Sequence, residues 1–236
     1  MGLRERLTER LLARLGLEWD FTLSLQRALL SEITETLYLG SRPRREDAPT
    51  LKKAGITHVV SCLPEDERST VAFLAEHFRW LFVPARDGIH EDLSATFPGI
   101  FEFAAKAADD EARAKLLVHC EVGVSRSATV AIAWVMQSEN KTFLEAFDQV
   151  RSARPEVLPN IGFASQLQRL EHSLRPELRA TREPSSLARY LTQVCNVPTE
   201  LELLHEALER HDYDAPRAIR SIFGDEIPRV VQGVRL

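Results

Sequence analysis

The chain has 236 residues, 44% of them hydrophobic and 28% charged, which suits one globular domain with an appendage and a sizeable core. Its formal charge of −5 lacks the basic excess of a nucleic-acid binder. Cys62, Cys120 and Cys195 are too few and too scattered for a disulfide framework, and no Cys/His cluster has zinc-ligand spacing. A reducing, cytoplasmic setting with no metal and no cofactor is the expectation.

In chain order, residues 1–29 read as an N-terminal amphipathic helical extension, with Leu3, Leu7, Leu11, Leu12 and Leu15 at helical spacing. Its apolar residues never run together as in a signal peptide or membrane span, and Glu5, Glu9 and Glu18 argue against a transit peptide. Gly2 is followed by Arg6 where a myristoylation motif needs Ser or Thr. Packing on the rest of the chain is the preferred role; any membrane contact would come through this helix alone.

Residues 30–175 read as an α/β domain. Ile33–Ser41 alternates like the opening strands of a sheet, Arg44–Ala54 is a helix stopped by Gly55, and Ile56–Ser61 is a buried strand. An acidic loop over Leu63–Ser69, a helix over Val71–Phe78 and a strand over Arg79–Val83 lead into Pro84-Ala85-Arg86-Asp87-Gly88. Ser94 is expected to cap a helix reaching Asp110. Thr142 caps another through Arg154, and Asn160 starts one through His172. Strands alternating with helices predict a central, mostly parallel sheet flanked by helices, with extra helices at both termini. Ligands in such sheets sit beyond the carboxyl ends of the strands.

The chemistry concentrates between Leu116-Leu117-Val118, a buried strand pattern, and Ala128–Met136, an almost wholly apolar helix. The intervening His119-Cys120-Glu121-Val122-Gly123-Val124-Ser125-Arg126-Ser127 ends at a helix N-terminus, where free amides and the helix dipole favour an anion. One turn of backbone over Glu121, Val122, Gly123, Val124, Ser125 and Arg126 is long enough to wrap an oxyanion, with the guanidinium closing the ring. The same ring holds a thiolate, since cysteines in such settings fall from about 8.5 to roughly 3.5–7.5. Cys120 is therefore the candidate nucleophile, Ser127 a donor to its sulfur and His119 a support beneath the loop.

His-Cys-x-x-Gly-x-Ser-Arg-Ser resembles the signature loop of the cysteine-dependent dual-specificity phosphatases. The likeness continues through Arg154-Pro155, Pro159-Asn160-Ile161-Gly162-Phe163 and Gln166-Leu167, and covers about residues 30 to 175. It implies that Cys120 attacks phosphorus, that Arg126 binds the phosphoryl oxygens, and that an aspartate on a mobile upstream loop protonates the leaving alcohol. Asp87 matches that aspartate; Glu91 and Asp92 are rivals. Asn160 is a supporting residue. The implied activity is hydrolysis of phosphotyrosine and phosphoserine or phosphothreonine in proteins through a phosphocysteine intermediate. A phospholipid or phosphoinositide phosphatase and a low-turnover phosphate-binding adaptor are the alternatives. Cys62 closes a buried strand and reads as a core residue. In some lipid phosphatases of this superfamily a cysteine at that strand end captures the oxidised nucleophile, which makes Cys62 a candidate redox partner of Cys120.

Residues 176–186, with Pro176, Pro184 and serines, read as a linker. In the small helical segment 187–236, Leu187–Cys195, Glu200–His211 and Pro216–Phe223 read as three short helices. Its Tyr213-Asp214 turn, Ala218-Ile219 and Gly224 are faintly similar to small ubiquitin-associated modules. Packing on the preceding domain or binding a protein partner is the preferred reading.

Overall fold

The structure, a computed structural model, describes residues 29–110, 114–180 and 183–224. The N-terminal helix expected over 1–29 lies outside the described residues except for Leu29, as do residues 225–236 of the C-terminal segment. Five strands form one sheet in the order β1-β2-β5-β3-β4: β1 (Ser31–Glu32), β2 (Leu37–Gly40), β5 (Lys115–His119), β3 (Ile56–Leu63) and β4 (Arg79–Pro84). The short edge strand β1 is antiparallel to β2, and the other neighbours are parallel.

Parallel strands buried on both faces favour apolar residues on both sides, and β3 and β5 supply them through Ile56, Val59, Val60, Cys62 and Leu63 and through Leu116, Leu117 and Val118. Alternate residues feed two cores. Leu37, Leu39, Val60, Cys62, Leu116 and Val118 face one; Tyr38, Val59, Leu63 and Leu117 face the other. The second core is closed by α1 (Ala48–Lys53), through Ala48 and Leu51, and by Val71, Phe73, Leu74 and Phe78. The first is closed by the longer helices α3 (Phe97–Asp110), α4 (Arg126–Glu139), α5 (Phe143–Ala153) and α6 (Ile161–Leu174). Helix α4 is the most enclosed, as its apolar sequence requires.

Two local expectations change. Instead of one helix over Val71–Phe78, a single turn α2 (Arg68–Val71) passes into a 3₁₀ turn at Ala72–Glu76. Its three-residue spacing brings both Val71 and Leu74 onto the sheet. Ser94 does not cap an α-helix; it opens a 3₁₀ turn, Ser94–Thr96, that leads into α3. The capping carboxylate is Asp92, whose Oδ1 accepts from Ser94 N at 3.0 Å and Ser94 Oγ at 2.6 Å. Thr142 and Asn160 do cap α5 and α6, through Glu145 N and Phe163 N.

The chain continues through a 3₁₀ turn at Pro176–Ala180 into α7 (Ser186–Gln193), α8 (Leu201–Arg210) and α9 (Ala215–Phe223). Their apolar faces do not form a core of their own. Leu187, Tyr190, Leu191, Leu204, Leu208 and Ile219 belong to the same cluster as α4, α5 and α6. Tyr190 sits fully buried against Phe143 and Phe147, at ring separations of 5.3 and 5.0 Å. No described helix is long and apolar enough to cross a membrane.

Candidate active site

The loop from Cys120 to Arg126 joins β5 to α4, and its shape is set from outside. Glu121 O accepts from Arg42 N at 3.1 Å, and Val124 O accepts from Leu158 N at 2.9 Å. Between them the buried Arg154 spans two peptides, donating from Nη2 to Val122 O and from Nε to Gly123 O, each at 2.8 Å. A trans peptide plane points its N–H opposite to its C=O. Four carbonyls held outward therefore turn the amides of Val122, Gly123, Val124 and Ser125 inward, toward the space over Cys120. Gly123 N–H reaches Cys120 Sγ at 3.2 Å. Gly123 has φ +74, and a Cβ there would lie 2.5 Å from Gly40 O and 2.8 Å from Arg154 Nη2. Only glycine fits that bend.

Ser127 Oγ lies 3.1 Å from the same sulfur, so Cys120 receives two donors at the floor of the loop. Both bonds strengthen when sulfur is negative. Arg126, 8% exposed, is anchored through Nη1 to Ala85 O at 3.3 Å. Its Nε is buried and makes no hydrogen bond; Asp87 Oδ2 lies 4.0 Å away. A buried donor left unsatisfied costs about 1–3 kcal/mol, more on a charged group, so an acceptor at this position is strongly favoured.

Beneath the loop runs a hydrogen-bond chain. Trp80 Nε1 donates to Ser61 Oγ at 2.8 Å, Ser61 Oγ meets His119 Nε2 at 2.7 Å, and His119 Nδ1 faces Cys120 O at 3.2 Å. The carbonyl accepts only, so the proton of His119 sits on Nδ1 and Ser61 donates to Nε2. Burial holds His119 neutral, lowering its pKa from 6.5 to about 4.

Asp87 stands across the mouth. Its Oδ1 accepts from Ser125 Oγ at 2.7 Å and Asn160 Nδ2 at 2.9 Å, while its side chain stays 42% exposed. The segment carrying it is fastened to the start of α6. Gln166 Oε1 accepts from Leu93 N and Ser94 N at 2.9 and 2.8 Å, and its Nε2 donates to Glu91 O at 2.7 Å. Gly162 lets the segment come close, since a Cβ there would lie 2.0 Å from Ile89 O. The rival Asp92 is spent on its turn, and the Ser94 hydroxyl holds its pKa below the usual carboxylate value.

Asp87, Cys120, the loop from Glu121 to Arg126, Ser127 and Asn160 are thus gathered at the carboxyl end of β5, with His119 below. Cys62 lies in the core under the loop, fully buried. Burial, and beside it the nearby Cys120, push its thiol well above the ordinary value. Sequence reasoning missed Arg42, Ser61, Trp80, the clamping roles of Arg154 and Gln166, and Tyr190. Arg154 and Gln166 each carried a signal, since Arg154-Pro155 and Gln166-Leu167 both fall in the stretch that resembles the family. A cleft of about 500 Å³, lined by Arg42, Arg44, Arg45, Thr70, Phe73 and Glu121 among others, adjoins the loop through Glu121.

Residues 37–173 match the family model described as the dual specificity phosphatase catalytic domain. Human dual specificity protein phosphatase 26 is 37% identical over 150 residues, covering 63% of this chain and 70% of that protein. The crystal structure of the human tyrosine phosphatase-like serine/threonine/tyrosine-interacting protein is similar at TM-score 0.58 and 31% identity, covering 62% of this chain and 97% of that one. That of PTPMT1 in complex with PI(5)P has TM-score 0.56 and 20% identity, covering 64% and 99%, a likeness of fold alone. The family match takes in every strand but the two-residue β1, the loop over Cys120 and the helix that fastens Asp87. The chain therefore belongs to the dual-specificity phosphatase family and is a protein phosphatase.

Proposed function

We propose that the enzyme dephosphorylates phosphotyrosine and phosphoserine or phosphothreonine in proteins through a phosphocysteine intermediate. One observation carries this reading: a loop whose carbonyls are tied outward surrounds Cys120 Sγ, beside the Nε of Arg126, which makes no hydrogen bond. Such a loop is complementary to the equatorial oxygens of a phosphoryl group in transfer. The thiolate of Cys120 attacks phosphorus, forming S–P as the ester P–O bond breaks, and Asp87 gives its proton to the departing oxygen. Ser127 steadies the sulfur as it leaves in the second step. There, water attacks phosphorus, S–P breaks, and Asp87 takes the proton of that water.

Protein over phosphoinositide follows from the rim. No lysine occurs in the loop, and the Glu121 carboxylate, 2.8 Å from Arg42, disfavours a head group with several negative charges. The adjoining cleft, with the exposed Arg44 and Arg45, accommodates residues flanking a phosphorylated side chain.

Rapid quench of a phosphopeptide reaction should place a labile phosphoryl mass increment on the Cys120 peptide. Cys120→Ser should lose at least about 10⁴-fold in kcat while still binding phosphopeptide. Turnover by Cys120→Ser near the parental rate would refute the mechanism, and faster turnover of phosphoinositide than of phosphopeptides would refute the substrate class.

A further inference from the structure

Helices α7, α8 and α9 lie beyond the span that matches the family, yet one of their side chains reaches the active site through a single peptide plane. Tyr190 of α7 donates from its hydroxyl to Pro159 O at 2.7 Å. That carbonyl belongs to the peptide joining Pro159 to Asn160, whose N–H donates to Ser125 Oγ at 3.3 Å. The plane is held at both ends, from the C-terminal helices on one side and from the phosphate loop on the other. What it orients is Asn160. With its Oδ1 fixed by Phe163 N, Asn160 can present only Nδ2, and this donates to Asp87. Ser125 Oγ, which accepts from the Asn160 N–H, donates to the same Asp87 oxygen. Tyr190, Pro159, Asn160, Ser125 and Asp87 thus form one closed network.

The rest of the segment holds α6 in place for this contact. Leu187 N donates to Gln168 Oε1 at 2.7 Å, Ser186 Oγ to Glu171 Oε1 at 2.7 Å, and Ala215 N to Ser165 Oγ at 2.9 Å. Gln168 is fully buried, and Glu171 also accepts from Phe143 N, so α5, α6 and α7 share these carboxylate and amide groups. Tyr190 itself, fully buried between Phe143 and Phe147, has no freedom to leave.

We propose that Tyr190 is a positioning residue for the acid step, and that the C-terminal helices form part of the catalytic unit by orienting Asn160 and, through it, Asp87. This rests on the reading of Asp87 as the acid, and the test separates the two. A general acid matters most when the leaving group is poor, so the full chain is assayed with phenyl phosphate and with 2,4-dinitrophenyl phosphate. In Tyr190→Phe, kcat/KM for phenyl phosphate should fall roughly tenfold, the equivalent of one buried hydrogen bond, while 2,4-dinitrophenyl phosphate should change by less than about twofold. Inhibition by inorganic phosphate should be unchanged. The ratio of the two substrates does not depend on how much of the variant is folded. In an Asp87→Asn background, which by itself should lower the phenyl phosphate rate selectively, adding Tyr190→Phe should cost nothing more.

Equal losses on both substrates in Tyr190→Phe, or full additivity with Asp87→Asn, would overturn the role of Tyr190 and leave Asp87 as the acid. A flat response of Asp87→Asn to leaving group would overturn the acid assignment first, and the role of Tyr190 with it.

Discussion

The two halves of the active site are built in opposite ways. The phosphate loop is a short contiguous stretch, with its carbonyls fixed by Arg42, Arg154 and Leu158 and its bend fixed by Gly123. The Asp87 segment has an exposed carboxylate and no regular structure around it, and it is held by side chains of α6 some 72 to 75 residues away in sequence. Anion binding needs many backbone donors converging on one point, which a single rigid turn supplies. In the proposed mechanism, proton transfer needs one carboxylate held over that point yet open to the leaving group, and the support of Asp87 comes from behind.

Arg154→Met tests the first half and carries the largest expected effect. Two loop carbonyls lose their donors, so inorganic phosphate should bind more weakly and kcat/KM should fall about 10²-fold for good and poor leaving groups alike. Stability should drop by about 2–4 kcal/mol in urea unfolding, since each orphaned buried acceptor costs about 1–3 kcal/mol. A selective loss on poor leaving groups would erase the contrast between the two regions.

The support beneath the phosphate loop is sensitive to pH. The native state keeps His119 neutral down to about pH 4, whereas the unfolded chain protonates it near 6.5, so unfolding takes up a proton between those values. Stability therefore falls as pH drops from 7 to 5, by roughly 2 kcal/mol from this residue, and this contribution levels off below its native value. The decline should be smaller by that amount in His119→Gln, measured by urea unfolding at the two pH values. Equal declines in both proteins would mean that His119 is not held neutral.

Gln166→Ala tests the second half and carries the smallest effect. Leu93 N and Ser94 N lose their acceptor, the Asp87 segment loosens, and kcat for phenyl phosphate should fall about tenfold. Phosphate inhibition should stay constant. A weakened phosphate affinity would show that the two regions are not independently supported.

The sequence alone determined the α/β class, the buried parallel strands, the caps at Thr142 and Asn160, and the phosphate loop, because each rests on neighbours a few residues apart. A strand pattern, a glycine at the bend, a cysteine and an arginine at fixed spacing are local signals. The tertiary structure alone decided what clamps the loop, that Asp92 caps the Ser94 turn, and where the C-terminal helices go. Arg154 meets Gly123 across 31 residues, Ser125 meets Asp87 across 38, and Tyr190 meets Pro159 across 31. Contacts of that range leave no periodicity in the chain; they exist only once the sheet and α6 have brought distant backbone within hydrogen-bonding distance.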